Sequence, residues 1–445
     1  MLVSFHVRHA AFVFALLTFV GTRGRAQQRA QELTLEAALA RAVATHPLIG
    51  AAAAAVRAAE GNRTTARSLG NPVFVYQVDA ASSALAGATP AIEREVMTSA
   101  MLPLDPLFQL KPRASQAGAL VRAARADLAA TRRDVVLEAA SAFFAAAGAA
   151  VRVDALTEVQ TWLDSLVRYT QFRVSEGAAA EVDLIRMQVE HLRTETDLAM
   201  ALADAARARA LLAVAVGFDS AVVDLTADTV CNCPQPPTRD ALLAIARVRR
   251  PEILAADARL TAARSGVSLE RTRFLRDAGI MAGVRTMGGE RSMVTGVSLP
   301  VPLFDQNRGE MRRADGDRRM AEFNREQVRR QVDADVGASW VAVTAWAGKA
   351  DLSNGSLVRR AEEARRITEA AYREGATGLL QVLDAARALA EARQVSYAAL
   401  SARRLSVLRL NAAIGITELP AILTMPTSNQ SSRDTQSPAQ MERQP

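Results

Sequence analysis

The sequence predicts an exported, mainly α-helical protein with a small β part, built as two tandem copies of one unit. Three observations carry that expectation. Half of the 445 residues are hydrophobic but only 4% are aromatic, and an alanine-rich, aromatic-poor chain suits long packed helices better than a large globular core. A set of landmarks recurs in the same order about 200 residues apart, far longer than any solenoid period. The longest proline-free stretches keep a three-and-four apolar spacing, the seam of a coiled coil.

Taken in chain order, Arg8 and His9 precede an apolar run from Ala10 to Val20, and Gly24-Arg25-Ala26 offers a small-x-small cleavage site before Gln27. Residues 1–26 are therefore expected to be a secretory signal peptide. The run is shorter than the about 20 residues a spanning helix needs, and no cysteine follows it to carry a lipid. Further along, the longest apolar run, Ala139 to Val151, is about 13 residues and reads as a buried helix seam. A membrane-resident mature chain would then have to be a β-barrel.

The duplication divides the rest into a first repeat at 27–217, a linker at 218–237, a second repeat at 238–416 and a disordered tail at 417–445. Thr34, Leu39 and Pro47 recur as Thr238, Leu243 and Pro251 at one constant offset. LPLDPLF from Leu102 matches LPVPLF from Leu299, SEGAAAEVD around Gly177 matches REGATGLLQ around Gly375, and Gly217 and Gly415 stand equally far beyond. Each copy opens with a short helix, N-capped by Thr34 or Thr238. A second helix then runs from Pro47 to about Leu69, or from Pro251 to about Arg276.

Two β-like stretches follow in each copy, Pro72 to Asp79 and about Glu93 to Leu104, then Gly279 to Met287 and Ser292 to Val301. Ala-Ser-Ser-Ala and Gly288-Gly289 supply the turns. Their alternation is weak, as it is in single transmembrane strands of about 9–11 residues. A long helix is then expected from about Arg113 to Glu176, with its seam at Ala139, Phe143, Ala146, Ala150 and Val153. At 1.5 Å per residue it would be roughly 96 Å long. The second copy repeats it from about Arg308 to Glu374, through Val332, Val336, Trp340 and Val343. Return helices at Ala180 to Val216 and Leu379 to Ile414 would be roughly 55 Å each, with Leu379, Leu383, Ala386 and Ala390 as the second seam.

Four strands cannot close a barrel, which takes about eight. Three chains would supply 12 strands and leave no open edge. Helices far longer than a bilayer's roughly 30 Å core must project into water.

The opening LTLEAALARAVATHP, the SLPVPLFDQNRG segment and YREGATGLLQVLDAARALAEAR resemble the TolC-like outer-membrane efflux proteins, and the middle segment resembles their heavy-metal export branch. The resemblance spans about residues 32 to 416. It implies a homotrimer with a 12-stranded barrel in outer-membrane lipid and a periplasmic helical tunnel. It also implies a periplasmic adaptor and an inner-membrane transporter of the RND type as partners. The function expected is that of a passive conduit in a tripartite efflux pump for small molecules or metal cations. A periplasmic coiled-coil adaptor or scaffold, a type I secretion exit duct and a secreted helical binding protein are the alternatives.

The family pattern transfers residue by residue. The turns at Glu176-Gly177 and Glu374-Gly375 are helix-ending glycines and, by resemblance, adaptor-docking tips. Aspartates at the sixth and ninth positions after the second glycine line the family's constriction. Here the ninth is Asp384 and the sixth is Gln381, while Asp183 holds the sixth place in the first copy. Three Asp384 carboxylates would form a ring that favours cations, and an ordinary solvated helix charge fits the same residue. Tyr372 matches the family's latch tyrosine, whereas Thr377 replaces its arginine.

Other features point away from chemistry. The charge of +7 and pI of about 10.1 suggest nucleic acid, but Arg and Glu are interspersed rather than gathered on one face. Cys231 and Cys233 would form a strained disulfide, and two cysteines alone do not make a zinc site. His46 and His191 stand alone. With no nucleophile elbow, metal-ligand motif or phosphate loop, no enzyme activity, cofactor or metal site is expected.

Overall fold

The long-range order of the chain follows from where its proline and glycine punctuation falls. The computed structural model describes residues 33–82, 92–217, 236–273, 278–301, 303–347 and 355–416. The expected signal segment and tail, and Cys231 and Cys233, lie outside the described residues. In the first copy, α1 (Leu35–Thr45) and α2 (Pro47–Arg67) lead into β1 (Val73–Ser82) and β2 (Ile92–Pro103), then α3 (Asp105–Ser175) and α4 (Glu181–Val216). In the second, α5 (Arg239–Arg249) and α6 (Pro251–Thr272) lead into β3 (Gly279–Met287) and β4 (Glu290–Ser298). They are followed by α7 (Arg308–Ala347), α8 (Ser356–Arg373) and α9 (Leu379–Ala413).

Thr34 caps α1 as expected, its Oγ1 accepting from the Ala37 N–H at 3.2 Å. Thr238 takes the extended cap conformation but makes no side-chain cap bond. His46 ends α1 and starts α2, its Nδ1 accepting from the Leu48 N–H at 3.3 Å. Pro47 and Pro251 are the first residues of α2 and α6, where a missing N–H is harmless.

Two helix expectations need correction. The first long helix begins at Asp105, not Arg113, and carries Pro112 inside it; over 71 residues it reaches about 106 Å at 1.5 Å each. The second is not one helix to Glu374. Gly355 is left-handed at φ 67° and caps a separate α8, a conformation that glycine adopts without steric cost.

The four strands form one antiparallel sheet in the order β1-β2-β3-β4. The two copies are therefore joined at β2–β3, where Leu102 faces Ile280, and β1 and β4 are left as edges.

Three apolar clusters hold the helices. Leu35 and Leu39 of α1 pack with Val136 and Phe143 of α3, Val216 of α4 and Leu408 of α9. Leu242, Ile253, Val332, Val336 and Leu410 form the matching cluster of the second copy. The third joins the far ends of the two hairpins. Windows in Leu35–Arg67 and Leu107–Ser175 are apolar enough by composition to cross a bilayer. The alanine-rich seam of α3 is spent on packing, with Ala139, Phe143 and Ala146 each at most 1% exposed.

An ionic junction built on two buried arginines, Arg133 and Arg250, ties the two copies together. Arg250 donates to the Ala413 carbonyl, Glu252 and Asp335 at 2.8–2.9 Å, and Arg133 of α3 pairs with Glu252 and Asp134.

Candidate channel lining and periplasmic tips

Register decides which side chains share a face of the sheet. Phe74, Tyr76 and Val78 stand opposite Ala100, Thr98 and Val96. These face Ala282, Val284 and Thr286, and then Thr295, Met293 and Arg291. Leu102, Ile280 and Val297 continue the same face toward the helices. It is uncharged from Val297 to Val78 and well exposed, with Phe74 at 70% and Met293 at 79%.

The other face carries Gln77, Asp79, Glu95, Arg285 and Glu290 toward its distal end, and Val75, Met101, Met281 and Val294 nearer the helices. Arg285 Nη2 donates to Glu95 Oε2 at 2.8 Å and Gln77 Nε2 to Asp79 Oδ2 at 2.9 Å. Along β3 the Ile280, Ala282 and Val284 side is the more exposed one, as it is when a sheet curls with its polar face concave. A face uncharged below its rim, backed by one that holds ion-paired and hydrogen-bonded groups, is what a barrel wall needs between lipid and a wet lumen.

At the opposite end, both hairpin turns end their helices identically. Gly177 and Gly375 sit at φ 70° and 74°. The Ala178 N–H reaches the Arg173 carbonyl and the Ala376 N–H the Ala371 carbonyl, both at 2.8 Å. The inner bonds run from Gly177 to Val174 and from Gly375 to Tyr372 at 3.0 and 3.1 Å. This double bond pattern absorbs the last helix carbonyls and requires a left-handed residue. Glu176, Gly177, Glu374 and Gly375 are all exposed.

The candidate constriction residues divide. Gln381 and Asp384 are exposed one turn apart on α9, the Asp384 side chain at 64%. Arg387 follows one turn later, 3.7 Å from Asp384, but its Nε donates to Glu190 of α4 at 2.9 Å. Asp183 is half-buried in the first turn of α4. Tyr372 is 9% exposed among Leu163, Leu166, Met187, Val382 and Leu383, so its ring belongs to the packing between hairpins and not to the exposed stripe. Thr377 is half-buried in the second turn.

His191 is not solitary: its Nε2 lies 2.5 Å from Asp164 Oδ1 and 2.9 Å from Gln160 Nε2, tying α4 to α3. Among the described residues no group of three or more His, Cys, Asp or Glu could hold a metal ion.

Sequence reasoning missed the ion pairs between the copies. Glu190 with Arg387, and Glu158 of α3 with Arg393 of α9 and Arg365 of α8, join residues so far apart in sequence that no local pattern links them. It also missed an open seam on α4. Val182, Ile185, Val189 and Leu192 are each more than half exposed at three-four-three spacing, a signal that was there to be read.

Residues 38–218 and 242–416 match the family described as outer membrane efflux protein. The chain belongs to the outer membrane efflux protein family. This efflux protein is 26% identical over 373 residues to the cobalt-zinc-cadmium resistance protein CzcC of Cupriavidus metallidurans, covering 82% of this chain and 86% of that one. Its fold is similar to the outer-membrane channel OprN at TM-score 0.72 and 20% identity, over 86% of this chain and 89% of that chain. It is also similar to the Campylobacter jejuni CmeC outer membrane channel at TM-score 0.72 and 15% identity, over 90% and 88%. The efflux protein is therefore mainly α with a small β part in the TolC-like plan, and its place is the outer membrane. The adaptor alternative falls, since the family is that of the outer-membrane component and the chain carries its helical hairpin twice.

Proposed function

We propose that three copies of this chain close a 12-stranded barrel over a helical tunnel and act as a passive exit conduit, with no chemical step of their own. The observation that carries this is the sheet: one face uncharged below its distal rim, the other holding the Arg285–Glu95 and Gln77–Asp79 pairs, and an unpaired edge on each side. Joining β4 of one copy to β1 of the next removes both edges, as a bilayer requires. The open α4 seam gives the helical part a complementary reason to associate, since apolar residues at coiled-coil spacing are buried by a partner helix.

Energy would come from an inner-membrane transporter of the RND type, through a periplasmic adaptor seated on the exposed Glu176-Gly177 and Glu374-Gly375 turns. The relative named for cobalt, zinc and cadmium resistance supports metal cations as cargo. In the constriction Asp384, with Gln381 a turn away, would supply a cation-favouring ring. Arg387 offsets it only partly, because Glu190 already holds that guanidinium. Asp183 and Tyr372 would shape the same end, one by charge and one by packing.

Planar-bilayer recording of the purified protein tests the reading. The expected result is a cation-preferring pore whose preference falls in Asp384→Ala. Failure to form any pore would remove the conduit, and unchanged selectivity in the variant would remove the ring. Cells lacking the protein should lose tolerance to cobalt, zinc or cadmium, and unaltered tolerance would count against metal cargo.

A further inference from the structure

We propose that the outward face of the barrel's distal rim binds phosphate-bearing lipid headgroups of the outer leaflet through Arg94 and Arg291. This rests on the trimeric-barrel reading above. Arg291 on β4 stands opposite Thr286, and Arg94 on β2 stands opposite Ala80, so both share the face of Tyr76 and Val284. Asp79, Glu95 and Glu290 are on the other face. The sheet itself thus separates the signs, acids with Arg285 inside and arginine alone outside. Both rim arginines are exposed, and neither has an ion pair or hydrogen bond among the described residues.

Their height is fixed by connectivity. They sit at the strand ends away from the helices, Arg291 just after the Gly288-Gly289 turn, while the other ends adjoin α2, α3, α6 and α7. Helices of this length can only hang in the aqueous periplasm, so the turn ends face outward. Between the arginines and the helices the outward side chains are uncharged. Each arginine therefore lies at the upper border of the apolar band, where its aliphatic stem can rest on apolar surface and its guanidinium reach headgroup level.

The planar guanidinium fork matches phosphate oxygens in a bidentate way, and a phosphate monoester keeps its net negative charge where the choline of a zwitterionic headgroup cancels it. The two strands lie two places apart, about 10 Å at about 4.8 Å per strand. If β4 of one copy adjoins β1 of the next, an arginine recurs on every second strand around the rim. A single-sign belt of that kind selects an anionic lipid surface.

The test reconstitutes wild type, R94Q/R291Q and R94K/R291K into phosphatidylcholine nanodiscs doped with lipid A or with its dephosphorylated form, and measures retained lipid by native mass spectrometry. Wild type should retain the phosphorylated lipid preferentially. Each arginine contributes about five-fold to such binding, so the double glutamine variant should lose about thirty-fold and the lysine variant less. Arg330→Gln, on α7 away from the barrel, should change nothing. Equal retention of the two lipids by wild type, or undiminished retention by R94Q/R291Q, overturns the proposal. If the double variant does not assemble, R94Q and R291Q decide singly, each expected to lose about five-fold. Pore conductance is recorded in parallel. A variant with the wild-type pore and lost lipid supports the rim site, whereas a wild type without a pore overturns the barrel reading and the inference with it.

Discussion

Replacing Val284 by arginine, and separately Val75 by arginine, puts the same charge on the two faces of one wall. Val284 lies on the Tyr76 face and Val75, opposite Ser99, on the other. β3 has nine residues, about 30 Å at about 3.3 Å each and about 23 Å in height at a tilt of about 40°. That matches an apolar band of about 25 Å, and Val284, sixth along the strand, falls near its middle. An arginine facing lipid at the midplane costs about 2–4 kcal/mol per protomer, or about 30- to 700-fold in the folding equilibrium. On the wet face the same change should cost about 0.5 kcal/mol or less. Urea-dependent folding into liposomes, read by heat-modifiable migration, measures both. A Val75→Arg cost equal to or above that of Val284→Arg would refute the assignment of faces, and with it the barrel.

Three further outcomes are expected. Gly415→Ala should destabilise more than Gly177→Ala. Both residues have positive φ, but a Cβ at Gly415 would lie 2.8 Å from the Arg249 carbonyl carbon while one at Gly177 meets nothing within 4 Å. The strain at each is about 1–3 kcal/mol, so equal melting temperatures would sink the argument. Burial alone would raise the Glu252 carboxyl, but the hydrogen bond from Arg250 and the charges of Arg133 and Arg250 hold it below the usual carboxylate range. A lowered folded pKa stabilises above the unfolded value of about 4.3 and is lost as pH falls through the folded one. Glu252→Gln should thus melt lower near neutral pH and lose less on acidification, and parallel curves would contradict this. Glu190→Gln should weaken cation preference in the same direction as Asp384→Ala, since Arg387 would then be left to Asp384; single-channel reversal potentials provide the check.

Much of the plan was legible in the sequence because it is written in short-range signals. Pro47 and Pro251 start helices, Gly177 and Gly375 end them, and Leu379, Leu383 and Ala386 keep a helical period that survives without knowledge of any partner. Where local signals conflicted the reading slipped. The first long helix, expected from about Arg113, starts at Asp105 with Pro112 inside it, and the second, expected to run on to Glu374, is interrupted at Gly355.

What the sequence alone determined was the repeated plan, the order of its parts and the glycine turns at Gly177 and Gly375. These depend on backbone preferences that each residue carries with it. Only the tertiary structure decided how the copies meet. The register across the four strands set which residues share a face, gathering Asp79, Glu95 and Arg285 on one and leaving the other uncharged below Arg94 and Arg291. Packing of the hairpins buried Tyr372, left Asp384 exposed and brought Glu190 to Arg387. Such pairings are invisible along the chain because nothing local to either residue encodes its partner, and they arise only when distant segments are held at contact distance.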